Sequence, residues 1–591
     1  MPSYTTGLLL IATVLAAVFA CFRVRIWWTQ DKNEPPVLGN SIPFLSPVLG
    51  IARQRTNFMV QLRDKCPSVP IYTLRLPGSR IYVINSPSLA SVVQRQKRVI
   101  AFEPIPAQAA ARMMGVSKAG VEVISRNCTT DESYFGTFLR ATYPALAPGN
   151  GLEAMNRAAV EVLAVSMERL ERWEGEGEIK VEIKEKIKVT EVDLWDWVRH
   201  EVLMATTEAI YGPDNPFRDP ANERAWYELE QGIVMQMMQV HSLFPSGRSS
   251  FRARESLVQA FRRYFAYGAP GGCHPTPAPD SPSLSLVQAR YRHNLSQGLS
   301  RDDIARTEIG QVAASLSNTI PAAFWMLWHV LSDPVVLADC RDEIERLVTV
   351  DLVQQKEPEQ EQGLNGRAVQ KEREVCTIDL AQLTNRQVCP VITSTWYEVL
   401  RFNHVGIAAR VVMQDTLVDG YLLKKDSTAM IVSPVMHSDL SVWGPSAREF
   451  CHCRFIQTHS NNNNSDRDDR STTATDNSQE RSHKAKRGNL NPEKSPANRI
   501  FGGGSTLCPG RHFASQEVLS LLALTIMRFD VRPVGNGVLS SAQRPVRFIR
   551  PKNRGFDGSY KSSPRGRHMI LNDLRRRIRQ GRGLEQERTY K

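Results

Sequence analysis

The sequence has no internal repeat and no regular spacing among its cysteines. Ten cysteines are scattered over 591 residues, which excludes the disulfide framework that holds many small secreted domains together. A reducing compartment fits this usage better. The Cys451-His452-Cys453 run has no second Cys/His pair at zinc-finger spacing, so an ordinary strand or loop is favoured there over a zinc site.

Charge is absent from Tyr4 to Phe22, and the basic and aromatic run RVRIWW follows at once from Arg23 to Trp28. An apolar span with such a flank is typical of a single membrane-crossing helix. A cleaved signal peptide, the alternative, normally carries its positive charge before the apolar part, and none stands there. We therefore predict a membrane anchor over residues 1–28, with the remaining chain on the cytosolic side by the positive-inside rule.

Composition indicates a folded body, because 42% of the residues are hydrophobic and 23% are charged. The net charge of +13 is partly local. Basic runs lie in a C-terminal extension, residues 551–591, and at Lys484 to Arg487. Such runs attract acidic partners, but a solvated tail and a solvated insertion are the simpler interpretation. No nucleic-acid partner is expected.

Hydrophobic periodicity predicts a mainly α-helical body with small β-sheets. Strand patterns are short and end at turn residues, as at Pro77-Gly78. Three segments are too polar or too broken to pack as core and are expected to be disordered insertions. They are residues 268–283, 353–374 and 458–496, within a catalytic domain predicted over 29–550.

One glycine-rich loop, FGGGSTLCPG, carries a lone cysteine directly before a long helical pattern. The partial positive charge at a helix N-terminus stabilises a thiolate, and glycines allow the backbone to approach it closely. A thiolate held in this way can serve as the axial ligand of a haem iron, where it favours O–O cleavage. An inert buried thiol is the alternative.

The spacing Phe501-x-x-Gly504-x-x-x-Cys508-x-Gly510 resembles the haem-binding loop of the cytochrome P450 family. The resemblance implies the cytochrome P450 fold, with Cys508 as the axial ligand of the iron of haem b. It also implies that Phe501, Gly504 and Gly510 help to bind this cofactor.

Two further stretches are similar to family motifs. Glu398-x-x-Arg401 resembles the Glu-x-x-Arg helix motif, and His452-Cys453-Arg454-Phe455 takes the place of Pro-Glu-Arg-Phe. By this resemblance Glu398, Arg401 and Arg454 form a buried ion network behind the haem.

A fourth stretch that is similar to a family motif is Asn318-Thr319, where the family typically has an acid–alcohol pair. The resemblance implies that Thr319, together with Asn318, handles protons for oxygen cleavage. Pro321 is expected to open the helix by clashing with the carbonyl of Ser317. A threonine that only bonds its own backbone is the alternative.

Three positions depart from the usual family pattern. Thr506 stands where a basic residue usually contacts a haem propionate, Asn318 replaces the acid, and His452-Cys453 replaces Pro-Glu. These features look most like the branch containing sterol 7-alpha-hydroxylases and prostacyclin synthase.

The resemblance implies a monooxygenase of the endoplasmic reticulum membrane that oxidises a lipophilic small molecule, such as a sterol, terpenoid or secondary-metabolite intermediate. It would use O2 and electrons from NADPH-cytochrome P450 reductase, with membrane lipid as a partner of its anchor. Two alternatives stay open: a prostacyclin synthase-like isomerase or dehydratase, and a non-catalytic haem- or lipid-binding member.

Overall fold

A computed structural model of the chain describes residues 2–39, 41–172, 189–266, 285–355, 371–456, 495–534, 545–549 and 568–571. Of the segments predicted to be disordered, residues 268–283 lie outside the described residues, as do residues 458–494 of the segment 458–496 and most of the predicted C-terminal extension.

The prediction for residues 353–374 differs from the structure at both ends of that segment. A strand continues to Gln355, and another begins at Lys371. The two strands pair with each other, so backbone hydrogen bonding compensates for the polar composition that suggested disorder. Residues 568–571 of the predicted extension also form a strand, which pairs with the second of these two.

Nineteen α-helices are formed by the described residues. In chain order they are α1 (Pro2–Thr29), α2 (Leu45–Gln54), α3 (Thr56–Lys65), α4 (Pro87–Arg95), α5 (Pro104–Ala109), α6 (Lys118–Ile124), α7 (Tyr134–Leu146), α8 (Asn150–Arg172), α9 (Leu194–Tyr211), α10 (Pro220–Met237), α11 (Pro245–Ala266), α12 (Leu286–Ser296), α13 (Arg301–Leu316), α14 (Thr319–Ser332), α15 (Pro334–Arg346), α16 (Pro390–Asn403), α17 (Ser433–His437), α18 (Leu440–Trp443) and α19 (Arg511–Arg528).

The strands are short, as predicted. They are β1 (Ile71–Leu76), β2 (Ser79–Ile84), β3 (Ile100–Ala101), β4 (Val189–Asp193), β5 (Val348–Gln355), β6 (Lys371–Asp379), β7 (Ile407–Val412), β8 (Thr416–Val418), β9 (Tyr421–Leu423), β10 (Thr428–Val432), β11 (Asp530–Pro533), β12 (Pro545–Ile549) and β13 (His568–Leu571).

The chain divides into two compact units, the first made of residues 1–100 and 397–507. Its main sheet has the order β1-β2-β10-β7-β3. The β1–β2 hairpin closes at Pro77-Gly78, where Gly78 takes a φ of +71° that favours glycine. Strand β10 pairs parallel to β2 and antiparallel to β7. One face of this sheet buries aliphatic side chains together with Tyr82, and each such burial stabilises the fold by about 1.5–3 kcal/mol.

The second unit is made of residues 101–396 and 508–591 and is mainly helical. Helix α19 packs against α8, α9, α14 and α15, and every residue from Gln516 to Arg528 is buried. Two three-stranded sheets, β11-β12-β4 and β13-β6-β5, complete this unit.

Asp333 shows how local sequence sets helix boundaries in this unit. Its carboxylate accepts from the amide N–H groups of Val335 and Val336, and Pro334 takes the first helical position of α15. An N-cap followed by proline is a common helix start.

Helix α1 contains, from Leu8 to Thr29, the one segment among the described residues that is long and apolar enough to cross a membrane by itself. Its mean hydropathy is 2.1, and 6% of it is buried. Trp27 and Trp28 at its end are largely exposed.

Candidate functional site

The cysteine loop leads directly into α19. Gly510 is the N-cap of that helix, so the thiol of Cys508 lies just before the first turn. Arg511 donates from Nη1 to the carbonyl oxygen of Cys508 at 3.0 Å. Burial raises the pKa of the Cys508 thiol, while hydrogen bonds from the Gly510 and Arg511 amides and the Arg511 charge oppose this. Burial thus favours the neutral thiol of the half-buried Cys508, and the two amides and the Arg511 charge would support the thiolate once a metal ion binds the sulfur.

Backbone geometry explains why glycine occupies this loop. Gly502 and Gly504 have φ values of +80° and +59°, a region that other residues rarely adopt. At Gly503 an added Cβ would lie 2.4 Å from a guanidinium nitrogen of Arg499. The half-buried Phe501 begins this glycine run, and the turn Gly504–Thr506 follows it.

The structure brings together Glu398, Arg401 and Arg454, all of which are buried. Arg401 makes a bidentate ion pair with Glu398, in which Nε and Nη2 lie 2.7 Å from the two carboxylate oxygens. Nε of Arg454 lies 3.0 Å from both of those oxygens. The backbone amide of Cys451 also donates to this carboxylate, at 2.9 Å. One carboxylate thus holds two cations and a loop amide.

Most of the remaining hydrogen bonds from the two arginines go to backbone carbonyls, and Arg454 also donates to the hydroxyl of Ser446. Arg401 Nη1 reaches the oxygens of His437 and Ala447 at 2.7 and 2.8 Å, and Arg454 Nη2 reaches that of Ser446 at 2.8 Å. Buried charges are tolerated when they are paired and hydrogen-bonded in this way. The network fixes the backbone around α16 and the turn at residues 452–455.

His437 was not identified from the sequence. Its Nδ1 lies 3.0 Å from the carbonyl oxygen of Arg401, and its Nε2 accepts from the backbone N–H of Arg499 at 3.0 Å. Burial, helped by the nearby charges of His404 and the arginines, lowers the pKa of His437 far below its usual value. The neutral ring therefore donates to Arg401 and accepts from Arg499, and it connects the ion network to the cysteine loop. A lone histidine without a motif gives no sequence signal for this role.

A cluster of cationic donors lies beside the loop. Arg410 is 1% exposed and donates from Nη2 to the hydroxyl of Thr506 at 3.0 Å. Arg499 is 6% exposed, and its Nη1 donates to Oε1 of Gln94 at 2.7 Å. Burial and the Arg410 charge lower the pKa of Arg499. Among the described residues no carboxylate pairs with Arg499, so its charge is not locally neutralised.

The central helix is interrupted at the position expected from Pro321. Helix α13 ends at Leu316 and α14 begins at Thr319, which places Pro321 in a first turn, where its missing N–H is not needed. Thr319 donates from Oγ1 to the carbonyl of Ser315 at 2.7 Å, so its oxygen remains free to accept. Asn318 is the N-cap residue and makes no side-chain capping bond.

Comparison with known proteins places this arrangement in a family. The family model described as cytochrome P450 matches residues 280–556, a range that includes the central helix break, the ion network and the cysteine loop. The matched residues form a cytochrome P450 domain.

Relatives extend the match to most of the chain. The cytochrome P450 monooxygenase nodJ of Hypoxylon pulicicidum is 29% identical over 529 residues, which cover 89% of each chain. The cholesterol 7-alpha-monooxygenase of Cricetulus griseus is 27% identical over 42% of this chain and 43% of its own. The predicted family, its branch and the monooxygenase class are thereby confirmed.

A solved structure confirms the predicted fold. The crystal structure of the cytochrome P450DA haem domain superposes with a TM-score of 0.59 at 17% identity, covering 88% of this chain and 97% of that one. The mainly helical body with small sheets is therefore the cytochrome P450 fold.

The residues of this cytochrome P450 fit a haem on two observations. The sulfur of the half-buried Cys508, deprotonated when it binds the metal, would supply the soft anionic ligand that haem iron accepts. Beside the loop, Nε of Arg499 and Nε2 of Gln94 are buried donors without a hydrogen-bond partner among the described residues. Buried donors next to uncompensated positive charge suit the anionic propionates of a haem.

Proposed function

We propose that this cytochrome P450 is a membrane-anchored haem-thiolate monooxygenase that oxidises a lipophilic small molecule. The observation that carries the proposal is the Cys508 thiol at the N-terminus of α19, under the amides of Gly510 and Arg511. When bound, haem b supplies the iron that activates O2 for insertion of one oxygen atom into a C–H bond.

We assign the residues of the chain to two roles, binding the haem and supporting the loop that carries Cys508. Cys508 would hold the haem iron through its sulfur, and the loop built on Phe501, Gly504 and Gly510 would keep that sulfur in place. Glu398, Arg401 and Arg454 are structural: they fix the backbone behind the loop.

Propionate binding falls to a different set of residues from the one usual in the family. Arg410, Arg499 and Gln94 supply the donors, and Thr506 orients Arg410 through its hydroxyl. This arrangement compensates for the basic residue that the loop lacks at position 506.

Proton delivery rests on Thr319, with Asn318 beside it. The hydroxyl of Thr319 lies at the helix break, where the regular i to i−4 bonding of the helix stops and starts again. A hydroxyl in an opened helix can pass a proton from water to the oxygen that is being reduced.

The redox partner and the location follow from the anchor and the charge. The apolar helix α1 supports attachment to the endoplasmic reticulum membrane, with the body on the cytosolic side. There, NADPH-cytochrome P450 reductase supplies electrons, and the net charge of +13 suits an acidic docking partner.

A lipophilic substrate suits an enzyme held at a membrane. A sterol is supported by the name of the Cricetulus griseus relative, a cholesterol 7-alpha-monooxygenase, and a terpenoid or other secondary-metabolite intermediate is the second class. Cholesterol and geranylgeraniol represent a sterol and a terpenoid in a first screen for substrate-induced spin-state shifts.

The test is reconstitution of the full chain with reductase, NADPH and ¹⁸O-labelled O2. Incorporation of one labelled oxygen atom into product, dependent on NADPH, is the expected result. Product formed without NADPH or O2 would instead support an isomerase or dehydratase, the second candidate, which Thr506 and Asn318 favour because both depart from the usual monooxygenase pattern.

A further inference from the structure

A pocket of about 460 Å³ lies in the first unit at the end of the apolar helix α1. Phe22, Phe44 and Leu76 supply its apolar wall. Four cationic side chains and one carboxylate also line it: Arg25, Arg75, Arg80, Lys425 and Asp426. The lining is therefore part apolar and strongly cationic.

Arg75 is the central group of this pocket. It is 6% exposed, and its Nε and Nη1 have no hydrogen-bond partner among the described residues. Its Nη2 donates to the hydroxyl of Thr29, the last residue of α1. Burial and the charges of Arg80 and Arg25 lower the pKa of Arg75, while Glu34 and Tyr82 oppose this.

The neighbouring groups hold this arrangement at the end of the helix. Arg80 donates from Nη2 to the carbonyl of Thr29 at 2.6 Å and lies 3.7 Å from Glu34. Cations at a helix C-terminus satisfy its free carbonyls and its dipole. The two oxygens of Glu34 accept from the Asp31 amide and the Tyr82 hydroxyl, so Arg75 keeps two buried donors for a ligand.

We propose that this pocket binds the phosphate of an anionic membrane lipid, with Arg75 as its principal ligand. Guanidinium groups bind phosphate through charge-assisted hydrogen bonds, and basic pockets beside membrane helices bind anionic headgroups. The exposed Trp27 and Trp28 are at the same end of α1 and suit the membrane interface. Phe22 and Phe44, in edge-to-face contact at 5.6 Å, face the adjoining acyl chain.

Native mass spectrometry of the full-length protein in detergent tests the proposal with three probes: dihexanoylphosphatidic acid, dihexanoylphosphatidylcholine and inorganic phosphate. The expected result is retention of phosphatidic acid and an affinity at least about tenfold lower in Arg75→Gln. Arg23→Gln is the matched control, because it removes an equal charge from α1 outside the pocket.

Equal losses in the two variants would overturn the proposal, because they would show only a general basic surface. Equal binding of inorganic phosphate and phosphatidic acid would show a free-phosphate site and would overturn the lipid assignment. Lys425→Gln, on an exposed position, repeats the test if Arg75→Gln does not fold.

A separate observation concerns the central helix break. Ser317 donates from Oγ to Oε1 of Glu230, on α10, at 2.9 Å. Burial raises the pKa of Glu230, while this hydrogen bond and the charge of Arg199 on α9 oppose the rise. A partly buried carboxyl thus lies at the break, one residue before Asn318, where the usual acid is missing.

We propose that Glu230 supplies the acid for the proton relay and acts through Ser317. The inference rests on the proposed monooxygenase function. A proton taken up from water by the carboxylate reverses the hydrogen bond, because the acid then donates to Ser317. The Ser317 hydroxyl passes its own proton onward through water toward Thr319, so one proton enters and one leaves. Glu230 does not contact the reacting oxygen.

The test needs O2 alone as the probe. Reductase and NADPH drive the full chain without substrate, and the fraction of consumed NADPH recovered as hydrogen peroxide is measured in H2O and D2O. Glu230→Gln keeps an acceptor for Ser317 but carries no proton, so we expect about a tenfold slower formation of water and more peroxide. Ser317→Ala should have the same effect, and Glu230→Asp should restore part of the rate.

Glu228→Gln is the matched control, because Glu228 accepts from Ser249 at 2.8 Å on the exposed side of the same helix. An unchanged peroxide fraction and solvent isotope effect in Glu230→Gln would overturn the relay. Equal changes in both glutamine variants would indicate a structural effect and would overturn it as well. A wild-type protein that consumes no NADPH would contradict the monooxygenase function itself.

Discussion

The ring of His437 accepts a hydrogen bond from the backbone N–H of Arg499 at 3.0 Å. Through this bond the ion network on α16 reaches the residue that precedes the cysteine loop by two positions. Because the same ring also contacts the carbonyl of Arg401, its charge state bears on both structures.

Acid should therefore destabilise the protein through His437. Burial lowers the pKa of this ring far below its usual value of about 6.5. As the pH falls below 6.5, the unfolded chain therefore binds a proton at His437 while the folded chain does not. The contribution of His437 to the free energy of unfolding is fully present above about pH 6.5, the pKa of the unfolded chain, and decreases as the pH falls toward the lower pKa of the folded state. Thermal unfolding between pH 7.5 and 5 should show this fall, and His437→Gln should reduce it.

A residual slope is expected in that variant, since burial also lowers the pKa of His404. An identical pH dependence in wild type and His437→Gln would contradict the assignment.

Removal of the shared carboxylate should be costly. Glu398→Gln leaves Arg401 and Arg454 buried without their counter-charge, and breaking a buried ion pair costs about 3–5 kcal/mol. Denaturant unfolding should show a loss of this size. Glu449→Gln, which alters an exposed side chain whose backbone carbonyl contacts the same arginines, should change stability little. Similar small losses for both would argue against the network.

The cationic cluster should determine how tightly haem is held. Arg499→Gln removes a buried charge that the propionates would neutralise, so transfer of haem to apomyoglobin should be about tenfold faster, as expected for the loss of one charge-assisted bond. Arg95→Gln, on the exposed end of α4, is the control. Unchanged transfer in Arg499→Gln would remove this residue from the haem site.

Thr319→Ala should uncouple electron use from product formation. Without the hydroxyl, less product should form for each NADPH consumed, and hydrogen peroxide should increase. The ratio of product to NADPH in the reconstituted system measures the effect. An unchanged ratio of product to NADPH would contradict the proton-transfer role of Thr319, whose observed hydrogen bond is to the carbonyl of Ser315.

Motifs made the loop and the ion network predictable, since Glu398 and Arg401 are three residues apart on one helix and Cys508 directly precedes another. The contacts of His437, Arg499 and Glu230 join positions between 36 and 405 residues apart. No local sequence pattern predicts such pairs. The disorder predicted at the two ends of the 353–374 segment was wrong for a different reason. Strands β5 and β6 form through backbone pairing, which their polar composition does not indicate.

The central claim is that Cys508 is the thiolate ligand of a haem iron. A carbon monoxide difference spectrum of the reduced full-length protein tests it most directly. Wild type should show the band near roughly 450 nm that axial thiolate ligation produces, and Cys508→Ala should lose it. Absence of the band in wild type, or its survival in Cys508→Ala, would contradict the claim.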